Sequence, residues 1–310
     1  MPNLFASRSI VIDAPVEDVY SHVRDFQQWP KWSPWLILER ECKLNFAPDG
    51  NSYSWDGKVI GSGEIAVVQA KKNKSIQHRL TFLKPWKSTA DVQFAFEEQS
   101  GGVKVTWSMD GSLPMFLFFL KNMMNSLIGM DYDRGLRMLR EQVETGSVAS
   151  HIDILGSESF SGIQFVGRRT SCTMAEMPKR MEADIGKLKN WFKDSGTETT
   201  GKPFSQYHVF DLLKQTVTYT IGCPTSRPTS RPANPGEGFI TGEIPACRVY
   251  KVKHIGPYQH LGNGWSAGKI REQGKVFKAN SAIHPFEIYE NDPGEVDAKD
   301  LVTVIHFPTQ

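Results

Sequence analysis

The chain has 310 residues, 39% of them hydrophobic and 23% charged, with a formal net charge of +2. That length predicts two domains of ordinary globular composition. The near-neutral charge excludes the strong basic field of a nucleic-acid or anionic-membrane binder.

The four cysteines, Cys42, Cys172, Cys223 and Cys247, form no C-x-x-C pair. This argues against a structural zinc site and for reduced thiols in a cytoplasm. The first residues lack the apolar run of a signal peptide. The most apolar stretch, 113–130, is broken by Lys121, Asn122 and Asn125. It is too polar to span a bilayer and reads as the start of an amphipathic helix.

In chain order, 7–13 reads as a strand. Pro15 followed by Glu17 and Asp18 opens a helix whose apolar face is Val16, Val19, Tyr20 and Val23, because a proline's missing N–H is no loss in a first helical turn. Strand-like runs follow at 52–59, 63–69, 75–82, 90–97 and 103–109, punctuated as in an antiparallel meander. Gly101-Gly102 marks a hairpin. A long helix is expected from about Met115 to Glu144, with Tyr132, Leu136, Leu139 and Val143 at helical spacing.

The Ser- and Gly-rich stretch after it reads as a linker, over 147–157. Beyond it come a strand (162–173), an amphipathic helix (177–193) and two strands (206–212 and 215–221). The Pro-rich loop 223–238 holds Thr-Ser-Arg-Pro twice in tandem. Then come strands at 239–243 and 246–254, a helix at 258–274, and strands at 285–289 and 301–307. The second half therefore reads as two copies of one strand–strand–helix–strand–strand unit, with a cleft expected at their pseudo-two-fold axis.

Residues Ile12-Asp-Ala-Pro-Val-Glu-Asp-Val19, Trp29-Pro-Lys-Trp-Ser-Pro-Trp35, Val103-Lys-Val-Thr-Trp-Ser-Met109 and Asp131-Tyr-Asp-Arg-Gly-Leu136 resemble the START-like (SRPBCC) superfamily, in its polyketide cyclase/dehydrase-like branch. The resemblance implies a helix-grip fold with an apolar cavity between the sheet and the long helix. His254-Ile-Gly-Pro-Tyr258, Phe286-Glu-Ile-Tyr-Glu-Asn-Asp-Pro293 and Val304-Ile-His-Phe-Pro308 resemble the GyrI-like, SHS2-type effector-binding domain. That resemblance implies a pocket with a central glutamate, here Glu287, that attracts cationic or polar ligands between aromatic walls. No helix-turn-helix precedes the domain in this chain, which argues against an autonomous transcription factor. The expected class is therefore α+β, with a helix-grip domain at 1–146, the linker, and a duplicated ββαββ-type domain at 158–310.

Glu287 and Tyr289 alternate with Phe286 and Ile288, so they share one face of a strand. By alternation alone Glu287 also fits a solvated face, and the resemblance is what points it into a pocket. A carboxylate in an aromatic-lined space favours a cationic guest or a raised pKa, and a raised pKa suits general acid–base work. Tyr219, on what reads as the matching strand of the first repeat, is expected to face it. Trp265 and Tyr207 are further pocket candidates. In the first domain Trp32 and Trp35 are candidates for a cavity mouth or for core, with Met109, Phe116 and Met124 as walls. No metal triad, phosphate loop or Ser-His-Asp set has supporting context, so neither metal nor cofactor is expected.

The reading these residues support is a cytoplasmic protein that binds small hydrophobic, amphipathic or cationic molecules, with one cavity per domain and no nucleic-acid or membrane partner. A homodimer stays open. Two alternatives follow from the GyrI-like resemblance. One is a hydrolase of reactive hydrophobic natural products acting through Glu287. The other is a ligand-responsive regulatory partner without its own DNA-binding half.

Overall fold

A computed structural model describes residues 3–84, 87–112, 119–226 and 235–310. The expected start of the long helix, the candidate wall Phe116 and most of the Thr-Ser-Arg-Pro tandem lie outside the described residues. The chain divides into two compact units, Met1–Val148 and Ala149–Gln310.

The first unit opens with β1 (Asn3–Ile12) and α1 (Val16–Arg24). Glu17 and Asp18 lie in the first turn of α1 and His22 and Arg24 in its last, matching the helix dipole, while Val19 and Val23 are buried. One helical turn, α2 (Trp29–Trp32), leads to a meander: β2 (Lys43–Phe46), β3 (Ser52–Asp56), β4 (Ser62–Lys71), β5 (Ser75–Lys84), β6 (Ser88–Gln99) and β7 (Gly102–Ser112). The sheet order is β1-β7-β6-β5-β4-β3-β2, and every neighbouring pair is antiparallel. The long helix α3 (Lys121–Thr145) follows. It packs chiefly on β1, which brings first and last elements together.

Alternation along β7 buries Val103, Val105, Trp107 and Met109. Trp107 stacks on Tyr132 of α3, with centroids 4.0 Å apart and planes at 12°. Trp29 and Trp32 pack edge-on to Trp107, and Phe94 stacks on it with centroids 4.7 Å apart. Trp32 is fully enclosed by these rings and belongs to the core, not to a cavity mouth. Trp35 packs on Trp107 and Tyr132, and its indole N–H donates to Asp131 Oδ2 at 3.0 Å. Arg134 donates to the other oxygen of Asp131 at 2.6 Å and to the Pro34 carbonyl at 3.3 Å. Trp32 thus packs in the core, and Trp35, which is partly exposed, links α3 to residues 34–35.

Glu39 is 2% exposed and accepts the backbone N–H groups of Lys58, Val59 and Ile60 at 2.7, 3.0 and 3.0 Å. One carboxylate thus satisfies three successive amides of the β3–β4 connection. Replacing Glu39 by Ala strands those donors, and we expect a loss of about 1–3 kcal/mol in urea unfolding, with Glu39→Gln losing less because it keeps one acceptor.

The second unit holds β8 (His151–Phe160), β9 (Ile163–Thr173), α4 (Met177–Ser195), β10 (Phe204–Asp211), β11 (Thr216–Pro224), β12 (Ile240–Ile244), β13 (Cys247–Ile255), α5 (Gly262–Gln273), β14 (Phe286–Tyr289) and β15 (Val302–Thr309). The sheet order is β12-β9-β11-β10-β14-β15-β13-β8. It is a palindrome about the β10·β14 seam: β9-α4-β10-β11 on one side matches β13-α5-β14-β15 on the other.

Two expectations are corrected here. Most of the expected linker is strand β8, paired along its length with β13. As an edge strand it has one hydrogen-bonded neighbour and a mostly exposed, Ser- and Gly-containing surface, so it lacks the apolar signal of an inner strand. The other concerns the run 239–243, expected to open the second copy. It is β12, and it pairs with β9 of the first half, so the two halves exchange their outermost strands. Only two residues join β12 to β13 and only two join β8 to β9, although each pair spans nearly the whole sheet. The sheet must curl to bring those ends together. Accordingly Phe160 of edge strand β8 lies 4.9 Å, ring to ring, from Phe286 of central β14.

Candidate functional site

Glu287 lies on β14 in the seam, directly opposite Ser205 of β10. Its neighbours Phe286 and Ile288 point to the other face. There Phe286 stacks on His306, with centroids 4.6 Å apart. Glu287 and Tyr289 share the face that α5 covers.

The approach of α5 has a local cause. A Cβ on Gly264 would lie 2.7 Å from Ile305, and one on Gly268 would lie 2.1 Å from the Phe307 ring. These two glycines, one turn apart, let α5 settle onto β15. Trp265, beside Gly264, is thereby delivered to Glu287.

Three donors converge on the carboxylate. Tyr207 OH and Tyr289 OH each donate to Oε1 at 2.8 Å, and Trp265 Nε1–H donates to Oε2 at 2.7 Å. Ser205 Oγ lies 2.8 Å from Tyr289 OH. Since the Tyr289 proton goes to the carboxylate, the serine donates to the phenol oxygen. The Tyr207 and Trp265 rings meet edge to face at 5.2 Å. Glu287 is 1% exposed. Four of the expected site residues, Glu287, Tyr289, Tyr207 and Trp265, therefore form one cluster.

Tyr219 does not join it. Its strand β11 is the counterpart of β15; the counterpart of β14 is β10, which carries Tyr207. The Tyr219 hydroxyl instead donates to Asp184 Oδ2 at 3.1 Å, as does Thr170 at 2.6 Å, while Arg168 donates to Oδ1 at 3.0 Å. Asp184 and Glu287, the buried carboxylates among the described residues of this unit, thus differ. Asp184 has a guanidinium partner. Glu287 has three neutral donors and, among the described residues, no cationic side chain in ion-pairing range.

Burial pushes the Glu287 carboxyl above its ordinary range, and the three hydrogen bonds only partly offset it. Tyr207 and Tyr289 are pushed well up, first by burial and then by the neighbouring Glu287 charge. Protons are accordingly held tightly throughout the cluster.

Two site residues escaped the sequence. Ser205 lies two residues before Tyr207 on β10, ahead of the strand start expected at residue 206. Tyr258 ends the His254-Ile-Gly-Pro-Tyr258 motif, and its ring lies edge-on to Tyr289, with centroids 5.6 Å apart. Ser150 and His254 form a separate buried pair, 3.0 Å apart. Burial lowers His254 to about 4 and encloses both side chains, and Asn263 occupies the serine oxygen at 2.9 Å, so this pair holds structure. An open concavity of about 790 Å³, lined by Arg168, Lys187, Trp191, Asp194 and Phe239 among others, touches none of the Glu287 cluster. Among the described residues no group of His, Cys, Asp or Glu has metal-ligand geometry, and no helix is long and apolar enough to cross a membrane.

Residues 6–144 match the family model described as polyketide cyclase / dehydrase and lipid transport, and residues 158–310 match that of the GyrI-like small molecule binding domain. The two matches fall one in each compact unit. Among solved structures it is similar to a START superfamily protein from Mycobacterium smegmatis (19% identity, TM-score 0.34, covering 46% of this chain and 99% of that one). It is also similar to the C-terminal domain of EcmrR (18% identity, TM-score 0.43, covering 52% and 98%). A third is the Aha1 dimer from Colwellia psychrerythraea (16% identity, TM-score 0.34, covering 46% and 98%). No curated protein matches the chain.

Folded chain holds the Glu287 proton to higher pH than unfolded chain does, starting from the ordinary value of 4.5. The folded state then binds more protons in that window, so the contribution of Glu287 is present below it and is lost as pH rises through the raised pKa. Urea unfolding from about pH 4 to about pH 8 should show wild type losing stability relative to Glu287→Gln as pH increases. Parallel pH profiles would mean that Glu287 titrates normally.

Proposed function

We propose that the second unit binds a small amphipathic organic cation, with Glu287 as the counter-charge and Tyr207, Tyr289 and Trp265 as its aromatic surroundings. The observation that carries this reading is the contrast with Asp184: Glu287 is buried on neutral donors with no cation beside it. A buried carboxylate in that state either keeps its proton or takes a positive partner. Each aromatic face beside a cation adds about 0.5–2 kcal/mol. The first unit, from a family described by cyclase, dehydrase and lipid-transport members, serves in this reading as a second site for an apolar molecule. The four cysteines are free thiols, which fits a cytoplasmic setting.

Titration calorimetry with tetraphenylphosphonium and with benzyltrimethylammonium tests the proposal. Binding is expected in wild type and should weaken at least about tenfold, or 1.4 kcal/mol, in Glu287→Gln. It should also weaken as pH falls and Glu287 takes up its proton. Affinity untouched by the substitution would remove the carboxylate from the site.

The raised proton affinity of Glu287 also favours a second reading, a hydrolase in which it acts as general acid toward a reactive hydrophobic substrate. Turnover of a strained electrophile that disappears in Glu287→Gln would select this reading over binding alone.

A further inference from the structure

Glu287 is 1% exposed, so a guest reaches it only if a side chain moves. Tyr207, Tyr289 and Trp265 are each fastened to the carboxylate by a hydrogen bond. Tyr258 is held differently. It is 41% exposed, its ring rests on the Tyr289 ring at 5.6 Å and 70°, and its hydroxyl has no protein partner among the described residues.

The backbone that carries Tyr258 is pinned. Gly256 adopts a φ of 135°, and a Cβ there would lie 2.1 Å from the Ala149 carbonyl oxygen. Its N–H donates to the Leu301 carbonyl at 2.9 Å. Pro257 fixes the next φ at −63°. The His260 and Leu261 amides then close back on the Pro257 and Tyr258 carbonyls at 2.9 and 3.1 Å. Chain movement here would break several hydrogen bonds, whereas rotation of the Tyr258 side chain moves its ring off Tyr289 and breaks no side-chain hydrogen bond among the described residues.

We propose that Tyr258 is the gate and the outer aromatic wall of the Glu287 site. Its ring swings off Tyr289 to admit a guest, then lies against that guest, so its bulk selects which guests enter. Rotamer changes at exposed side chains take picoseconds to nanoseconds, so the gate acts by the room it leaves and not by slow opening. The proposal rests on Glu287 being the binding group, but the gate can be read without any ligand.

The first test is labelling of carboxylates with a water-soluble carbodiimide and glycine ethyl ester, located by mass spectrometry. Tyr258→Ala should label Glu287 at least tenfold faster than wild type, with exposed carboxylates unchanged. Tyr258→Phe should behave as wild type, because the ring covers the site and the hydroxyl does not. Both variants are first checked for wild-type thermal unfolding, which a half-exposed ring without hydrogen bonds should leave in place. Equal Glu287 labelling in wild type and Tyr258→Ala, or equal acceleration in Phe and Ala variants, would overturn the gate.

Calorimetry with tetramethylammonium and tetraphenylphosphonium then tests selection. Tyr258→Ala should shift the affinity ratio at least tenfold toward the bulky ion, and an unchanged ratio would overturn the selective role. If neither cation binds any variant, the cation reading of Glu287 fails, while the labelling result still decides the gate.

Discussion

Taking a carboxylate out of water costs several kcal/mol unless charge or hydrogen bonds replace what the water supplied. In the second unit this demand falls on Glu287, and the surrounding architecture converges on it. The palindromic sheet places β14 and β10 side by side at its centre, so Ser205 and Tyr207 come from one half and Glu287 and Tyr289 from the other. The glycine pair on α5 lowers Trp265 onto the same carboxylate. None of these donors is a sequence neighbour of Glu287 except Tyr289. The site exists only because the two halves meet.

Among the described residues three carboxylates are buried, in three different settings. Glu39 is absorbed by backbone amides of a single connection, which makes it a loop anchor. Asp184 is answered by the Arg168 charge together with Thr170 and Tyr219, which makes it a tie between α4 and the sheet. Glu287 is answered by two phenols and an indole, and burial pushes its carboxyl upward. A fully paired group has little left to offer a ligand, whereas Glu287 keeps an unbalanced charge or a tightly held proton.

The first unit is organised by rings. Trp107 on the last strand and Tyr132 on α3 stack directly, and Trp29, Trp32 and Phe94 close around them. Asp131 then couples Trp35 and Arg134, joining the long helix to the segment after α2. The tryptophan cluster that stands out in the sequence is thus largely the means by which sheet and helix adhere. A tryptophan offers much apolar area to either a core or a ligand, and sequence position alone does not distinguish the two uses.

Periodicity, turn residues and motif content determined the two-domain α+β plan, the order of nearly all elements, and the shared face of Glu287 and Tyr289. Those signals are local: a period of two or 3.6 residues is set by neighbours along the chain. Only the tertiary structure decided that 151–160 is an edge strand, because half-solvated strands carry little apolar signal. It alone decided that the halves exchange outer strands, because that depends on how a curled sheet brings its ends together. It also separated Tyr219 from Tyr207. Both are strand tyrosines of the first half, but the register across the seam gives one phenol to Glu287 and the other to Asp184. Hydrogen-bond partners some 80 residues apart are chosen by packing, and no local rule in the chain encodes that choice.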